Sequence, residues 1–225
     1  MRIVHPLLFE PILFEENKIP IWVIENRTVF RQIVFDLVLL SEGGNGDCVL
    51  SKNFDKLSCK DCLHVIYDFF HLEPSGKKLI NAFQSIINRT LQDELLQESN
   101  DLNQQISAFL SNLSSLLIQP TCFAEGDLIP LLLKAVQFRL WVDGDSPAEK
   151  LISYIEILCS LLKNQCIVLV NAKSYFSDDE LLSLYKMSMY QKWNILLLEP
   201  LQPEEPLENE KYYILDRDLC EIRQQ

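Results

Sequence analysis

The sequence predicts an α/β protein whose sheet-bearing part is interrupted by an α-helical insertion. Three observations lead there. Strand-length apolar runs gather at both ends of the chain: Ile19-Pro20-Ile21-Trp22-Val23-Ile24, Cys166-Ile167-Val168-Leu169-Val170 and Ile195-Leu196-Leu197-Leu198. The last two are separated by a capped helical pattern, the spacing of a βαβ unit with parallel strands. From Ser75 to about Leu117 strand signals vanish, and apolar residues recur three and four apart.

The first run, with its β-branched residues, reads as a buried strand. After Glu25, Asn26 is placed to cap a helix whose apolar face is Phe30, Ile33, Val34, Leu37 and Val38. Gly43-Gly44-Asn45-Gly46 ends it in a turn. Cys48-Val49-Leu50 and Leu63-His64-Val65-Ile66-Tyr67 read as further strands. In the middle, Leu79, Ile80, Phe83, Ile86, Ile87 and Leu91 mark one amphipathic helix. Leu102, Ile106, Phe109, Leu110 and Leu113 mark a second, with a polar break expected around Glu98-Ser99-Asn100. Two such helices form an antiparallel hairpin, and shorter helices are expected at 127–138 and 147–164. Ser177 with Glu180 makes a capping box ahead of a helix running to about Gln191. Asn194 to Glu199 and Lys211 to Asp216 are the last strands, across the proline-rich loop at 202–208. The expected division is an α/β head from 1–72 and 150–225, and a helical leg from 73–149.

Composition bounds the function. Apolar residues are 48% and charged residues 23% of 225, enough for a real core. No run approaches the roughly 20 apolar residues of a membrane span, and the first residues lack a secretory signal, so a cytoplasmic protein is expected. Seven irregularly spaced cysteines read as reduced thiols. A net charge of −12 argues against nucleic acid when taken alone, although lysines and carboxylates can be segregated onto different surfaces.

Motifs of catalysis are missing. With six glycines there is no G-x-x-x-x-G-K-[ST], hence no cradle of N–H groups and no lysine for nucleotide phosphates. No G-x-S-x-G, H-E-x-x-H or G-x-G-x-x-G occurs, and none of the three histidines is paired with a nucleophile. Cys59, Cys62, His64 and His71 are the right ligand types for zinc. Extending the strand-like run back to Cys62 puts Cys62 and His64 on one face and His71 far from both. Glu125-Gly126-Asp127 reads as a solvated turn, two carboxylates being few for calcium.

Several stretches resemble the spacer-acquisition accessory proteins of type II-A CRISPR systems. They are Pro6-Leu7-Leu8-Phe9-Glu10-Pro11-Ile12, Val23 to Phe30, Leu169-Val170-Asn171-Ala172-Lys173-Ser174-Tyr175-Phe176-Ser177, Glu180 to Tyr185, Leu196 to Pro200 and Tyr213 to Asp218. The resemblance implies a homotetrameric ring of non-catalytic subunits. Each has an α/β head related to degenerate P-loop ATPases and a helical leg, and the ring encloses double-stranded DNA that it enters from free ends. It also implies calcium in the leg, and as partners the CRISPR integrase and the RNA-guided nuclease. In the corresponding stretch only Glu125 and Asp127 carry over as calcium ligands, fewer than the family's acidic cluster, and apolar contacts in place of calcium are the alternative for holding the ring. Lysines facing the hole would contact phosphates, a binding mode independent of base sequence and steeply weakened by salt. The candidates are Lys52, Lys56 and Lys60, four residues apart, with Lys134 and Arg139 in the leg. A rival expectation is an acidic protein-interaction scaffold that never touches DNA.

Overall fold

The computed structural model describes residues 1–123, 126–203 and 205–222. The chain divides into two compact units, Met1–Glu73 with Val142–Gln225, and Pro74–Trp141.

The first unit opens with β1 (Arg2–Val4), β2 (Ile12–Leu13) and β3 (Ile19–Ile24), all six residues of β3 being buried. Helix α1 (Arg27–Ser41) follows two residues later. The Asn26 side-chain oxygen accepts the N–H groups of Thr28 and Val29 at 3.1 and 3.3 Å, satisfying donors that a helix start leaves orphaned. Then come β4 (Val49–Lys52), β5 (Asp55–Lys56), a single helical turn α2 (Cys59–Cys62) and β6 (Leu63–Ile66).

The second unit consists of α3 (Lys77–Asp93), α4 (Leu96–Leu116) and α5 (Ile129–Ala135). The break between α3 and α4 falls at Glu94-Leu95, not at Glu98-Ser99-Asn100. Glu98 sits in the first turn of α4, where the helix dipole favours a carboxylate, so the polar stretch opens the second helix instead of separating the two. Leu79 and Ile129 are buried and the rings of Phe83 and Phe138 stack at 6.0 Å, yet α4 buries none of its residues.

The chain then returns to the first unit through α6 (Pro147–Leu161), β7 (Cys166–Val170), α7 (Asp178–Gln191), β8 (Asn194–Glu199), β9 (Glu210–Leu215) and β10 (Glu221–Ile222). The expected Ser177–Glu180 capping box is formed, and α6 starts with a second one, Ser146 with Glu149. Gly144 enters α6 at φ +136°, where a β-carbon would meet backbone of Glu149 and Lys150 at 2.9 and 2.8 Å. Gly144→Ala is therefore expected to cost about 1–3 kcal/mol, read as a lower urea midpoint.

Six strands form the main sheet in the order β10-β9-β3-β8-β7-β6. Five are mutually parallel and β10 is antiparallel to β9. The first parallel strand, β3, lies in the interior of the sheet and is joined to α1 by the short Glu25-Asn26 connection. Trp22, Ile24, Val168, Leu196 and Leu198 face α1 through Ile33 and Leu37, together with Ile3, Ile12 and Leu50 of the small sheet β2-β1-β4-β5. The alternate residues of these strands face the other side, where α7 presents Tyr185 to Glu210. Both faces being covered explains why the parallel strands are continuously apolar.

Candidate nucleic-acid interface

Because β7 and β8 are adjacent and parallel, the residues leading into them lie side by side at one edge of the sheet. Lys163 and Asn164 precede β7; Lys192, a left-handed residue closing α7, and Trp193 precede β8. Lys52, the last residue of β4, reaches the same edge, its Nζ 2.6 Å from Asn164 Oδ1. Together they line a groove of about 430 Å³ whose charged lining residues are Lys52, Lys163, Lys192 and Glu156. The pair of Lys192 with Glu16 at 3.5 Å is more than three-quarters exposed on Lys192 and so weak.

The floor of the groove is held by Gln165, 4% exposed. Its Nε2 donates to the carbonyls of Lys163 (2.6 Å) and Asp61 (3.3 Å), its Oε1 lies 2.6 Å from His64 Nε2, and its own carbonyl accepts from Asn194 Nδ2 at 3.0 Å. Because Gln165 Nε2 is committed to two carbonyls, its Oε1 accepts from His64 Nε2–H, and burial lowers the His64 pKa. Lys163 and Asn164 thus project from backbone tied to both neighbouring segments.

The expected residues distribute unevenly. Lys52 enters the groove. Lys56 is exposed on β5, and Lys60 lies on α2, where a β-carbon at Gly43 would come within 2.7 Å of its Cδ. A spacing of four therefore crosses a hairpin and a helical turn instead of forming one stripe. Lys134, in the last turn of α5, and Arg139 are exposed in the second unit. Asp127 Oδ1 accepts from Asn103 Nδ2 at 3.0 Å and from the Ile129 N–H at 3.1 Å, and shares a cavity with Asn100, Asn103 and Gln104. Glu125 lies outside the described residues.

The cysteine and histidine constellation does not assemble. Cys59 to Cys62 is a helical turn, not an extension of the strand, and His71 Nδ1 bonds Asp68 at 2.8 Å. Among the described residues no group of three or more His, Cys, Asp or Glu is arranged to hold a metal ion. Burial raises the thiol pKa values of Cys48 and Cys159 to about 12, making these inert hydrophobes.

Residues 42–219 match the family model for CRISPR-associated protein (Cas_Csn2), well over half of the chain. The chain belongs to the CRISPR-associated Csn2 family. Membership implies a role in CRISPR adaptation. Among solved structures, Stu0660 of Streptococcus thermophilus shares the fold, with a TM-score of 0.57 at 16% identity over 96% of this chain and 74% of that one. The part of this Csn2-family chain matched by the family model runs from the end of α1 into the segment after β9, and so includes Lys52, Lys163 and Lys192. No helix among the described residues is long and apolar enough to cross a membrane.

Proposed function

We propose that this protein is a non-catalytic, sequence-independent binder of double-stranded DNA, acting as a homotetrameric ring in CRISPR spacer acquisition. The observation that carries the reading is the groove of Lys52, Lys163 and Lys192, a local excess of positive charge in a chain of net charge −12. Ammonium groups on flexible stems suit phosphate oxygens and read no base. Segregating them at one sheet edge lets an acidic protein approach a polyanion. Lys56, Lys60, Lys134 and Arg139 supply further exposed cations for the same backbone. Self-assembly is supported by α4, where Leu102, Phe109 and Leu113 remain exposed with no residue of the helix buried. Calcium enters this reading at Glu125 and Asp127, whose carboxylates are hard oxygen ligands; Asn103 presents its Nδ2 to Asp127, and its Oδ1 is taken by the Leu128 N–H.

The test is a titration of a fluorescent duplex of about 30 base pairs at several salt concentrations. The triple variant Lys52→Glu, Lys163→Glu, Lys192→Glu is expected to lose roughly 100-fold in affinity, and each single Lys→Ala change to flatten the salt slope by about one. Light scattering should give four times the 26.1 kDa subunit mass. Linear duplex should be retained and covalently closed duplex released. Unaltered binding by the triple variant removes the groove from the interface.

A second reading, a protein scaffold for the integrase and the RNA-guided nuclease, is favoured by the exposed aromatics Phe70 and Tyr175, whose rings meet at 6.0 Å, with Tyr175 also against buried Phe69. Capture of those partners by protein that binds no duplex even at low salt would establish it instead.

A further inference from the structure

The hairpin joining β4 to β5 turns in two residues, Asn53 at φ 50° and Phe54 at φ 70°. Two left-handed residues in succession make a type I′ turn, whose second position belongs to glycine because a β-carbon there is strained. Phenylalanine is a residue this backbone does not ask for. Nor does burial explain it, since Phe54 is 86% exposed, the most exposed aromatic among the described residues.

The surroundings of the ring indicate what it meets. The Arg2 guanidinium lies 4.8 Å from the ring centroid and covers one face, while Arg2 Nε donates to Ser51 Oγ at 3.0 Å. Strand register sets Arg2 opposite Ser51 and Ser51 opposite Lys56, so Arg2 and Lys56 project from the same side of the small sheet as one row. Lys52 and Asp55 form the next row, on the opposite side, from which Lys52 enters the groove. The hairpin therefore carries an outward aromatic face backed by one cation, a second cation beside it, and a third feeding the phosphate-binding edge, against the single carboxylate of Asp55. An exposed aromatic ring with a cation over one face and a lysine two residues away on either side is complementary to a nucleobase flanked by phosphates. An intact duplex shows bare base faces only at its ends, and entering an interior step requires unstacking it.

We propose that Phe54 stacks on the terminal base pair of a linear duplex, with Arg2 and Lys56 on the phosphates next to that end. This rests on the duplex-binding reading above and assigns the recognition of ends to one hairpin. The ring reads no sequence, since every base pair offers a π-face.

The experiment uses the full chain and about 30-base-pair duplexes carrying 2-aminopurine at the terminal or at a central pair, with ends open or closed by loops. Wild-type protein is expected to change the terminal probe's fluorescence and leave the central probe unaltered. Phe54→Gly suits the left-handed backbone, so it should keep or raise the melting temperature and keep the oligomeric mass. It should nonetheless lose the terminal signal and roughly tenfold in affinity for open-ended duplex. Its salt slope on the open-ended duplex should match wild type, because no phosphate contact is removed, and both proteins should release the loop-closed duplex. Phe54→Leu should fail in the same way and Phe54→Tyr should retain the signal, separating stacking from general apolar contact. A Phe54→Gly protein with wild-type terminal signal and affinity overturns the stacking while leaving duplex binding in place. A response of the central probe overturns it in favour of interior insertion. Absence of binding by wild type to either duplex at low salt overturns the duplex-binding reading itself.

Discussion

Replacing Lys173 by methionine is expected to lower the stability of the protein by about 3–5 kcal/mol. Lys173 follows β7 in a short 3-10 turn, Ala172–Ser174, and its Nζ lies 2.6 Å from Glu210 Oε1. The two side chains are 15% and 0% exposed. Glu210 also accepts the Tyr185 hydroxyl at 2.6 Å, the Tyr212 hydroxyl and the Leu207 N–H at 2.8 Å. Burial raises the pKa of both phenols, and the adjacent carboxylate raises them further, so both stay protonated and donate. These bonds satisfy the carboxylate oxygens, but only the ammonium neutralises their charge. Methionine keeps the length and apolar contact of the lysine stem and removes the charge alone. What remains is an unpaired anion inside the protein, the situation in which breaking a buried pair is most costly. Urea unfolding reads the change as a lower midpoint at constant slope. Adding Glu210→Gln to Lys173→Met should recover a large part of the loss, because a neutral amide needs no cation. A Lys173→Met protein within about 1 kcal/mol of wild type would show that the carboxylate is solvated or protonated without its partner.

Much of this architecture was legible because the parallel sheet is covered on both faces. That burial writes β3, β7 and β8 into the sequence as unbroken apolar runs, and local side-chain bonds write the starts of α1 and α7 as Asn26 and the Ser177–Glu180 box. Apart from β4, expected at Cys48-Val49-Leu50, the small sheet was illegible for the opposite reason. Its strands are two to four residues long, too short for alternation, and are specified by distant partners, as where Arg2 pairs with both Leu13 and Ser51. Extended length at Arg2–Val4 and Ile12–Leu13 leaves no periodic trace. The candidate interface followed the same division. Lys52 could be picked out as a lysine ending a strand. Lys163 and Lys192 could not be found by spacing along one segment, because they meet only when two parallel strands begin at the same edge. A lysine just ahead of each buried run, Lys163 before Cys166 and Lys192 before Asn194, is the signal that was available. The polar network of Lys173, Glu199 and Glu210 left none, since no one-dimensional spacing links a turn after β7 to the first residue of β9.

Between about pH 5 and pH 8, wild-type protein is expected to lose about 3 kcal/mol of stability that a Glu199→Gln variant retains. Glu199 is 2% exposed at the carboxyl end of β8. Burial dominates and pushes its carboxyl from an ordinary 4.5 up to about 7. The Lys173 N–H, 3.1 Å from Oε1, the Ala172 N–H and the Lys173 charge pull the other way, and the Glu210 carboxylate adds to the rise. A folded-state value above the unfolded one means that the folded protein holds this proton more tightly. The stabilisation is therefore complete below about pH 4.5 and is lost as pH rises through about 7. A difference of roughly 2.5 units at 1.36 kcal/mol each gives the magnitude, about 3 kcal/mol. Glutamine keeps an oxygen to accept the Lys173 N–H and cannot ionise. The two proteins should thus be near-equal at about pH 5, with the variant the more stable at about pH 8. His5 and His64, whose pKa values burial lowers, contribute the opposite slope in both proteins and cancel in the difference. Paired urea titrations across this range decide it: parallel profiles would mean that Glu199 is already ionised throughout, held by the backbone N–H groups and by Lys173, and that the same lysine serves both carboxylates at once.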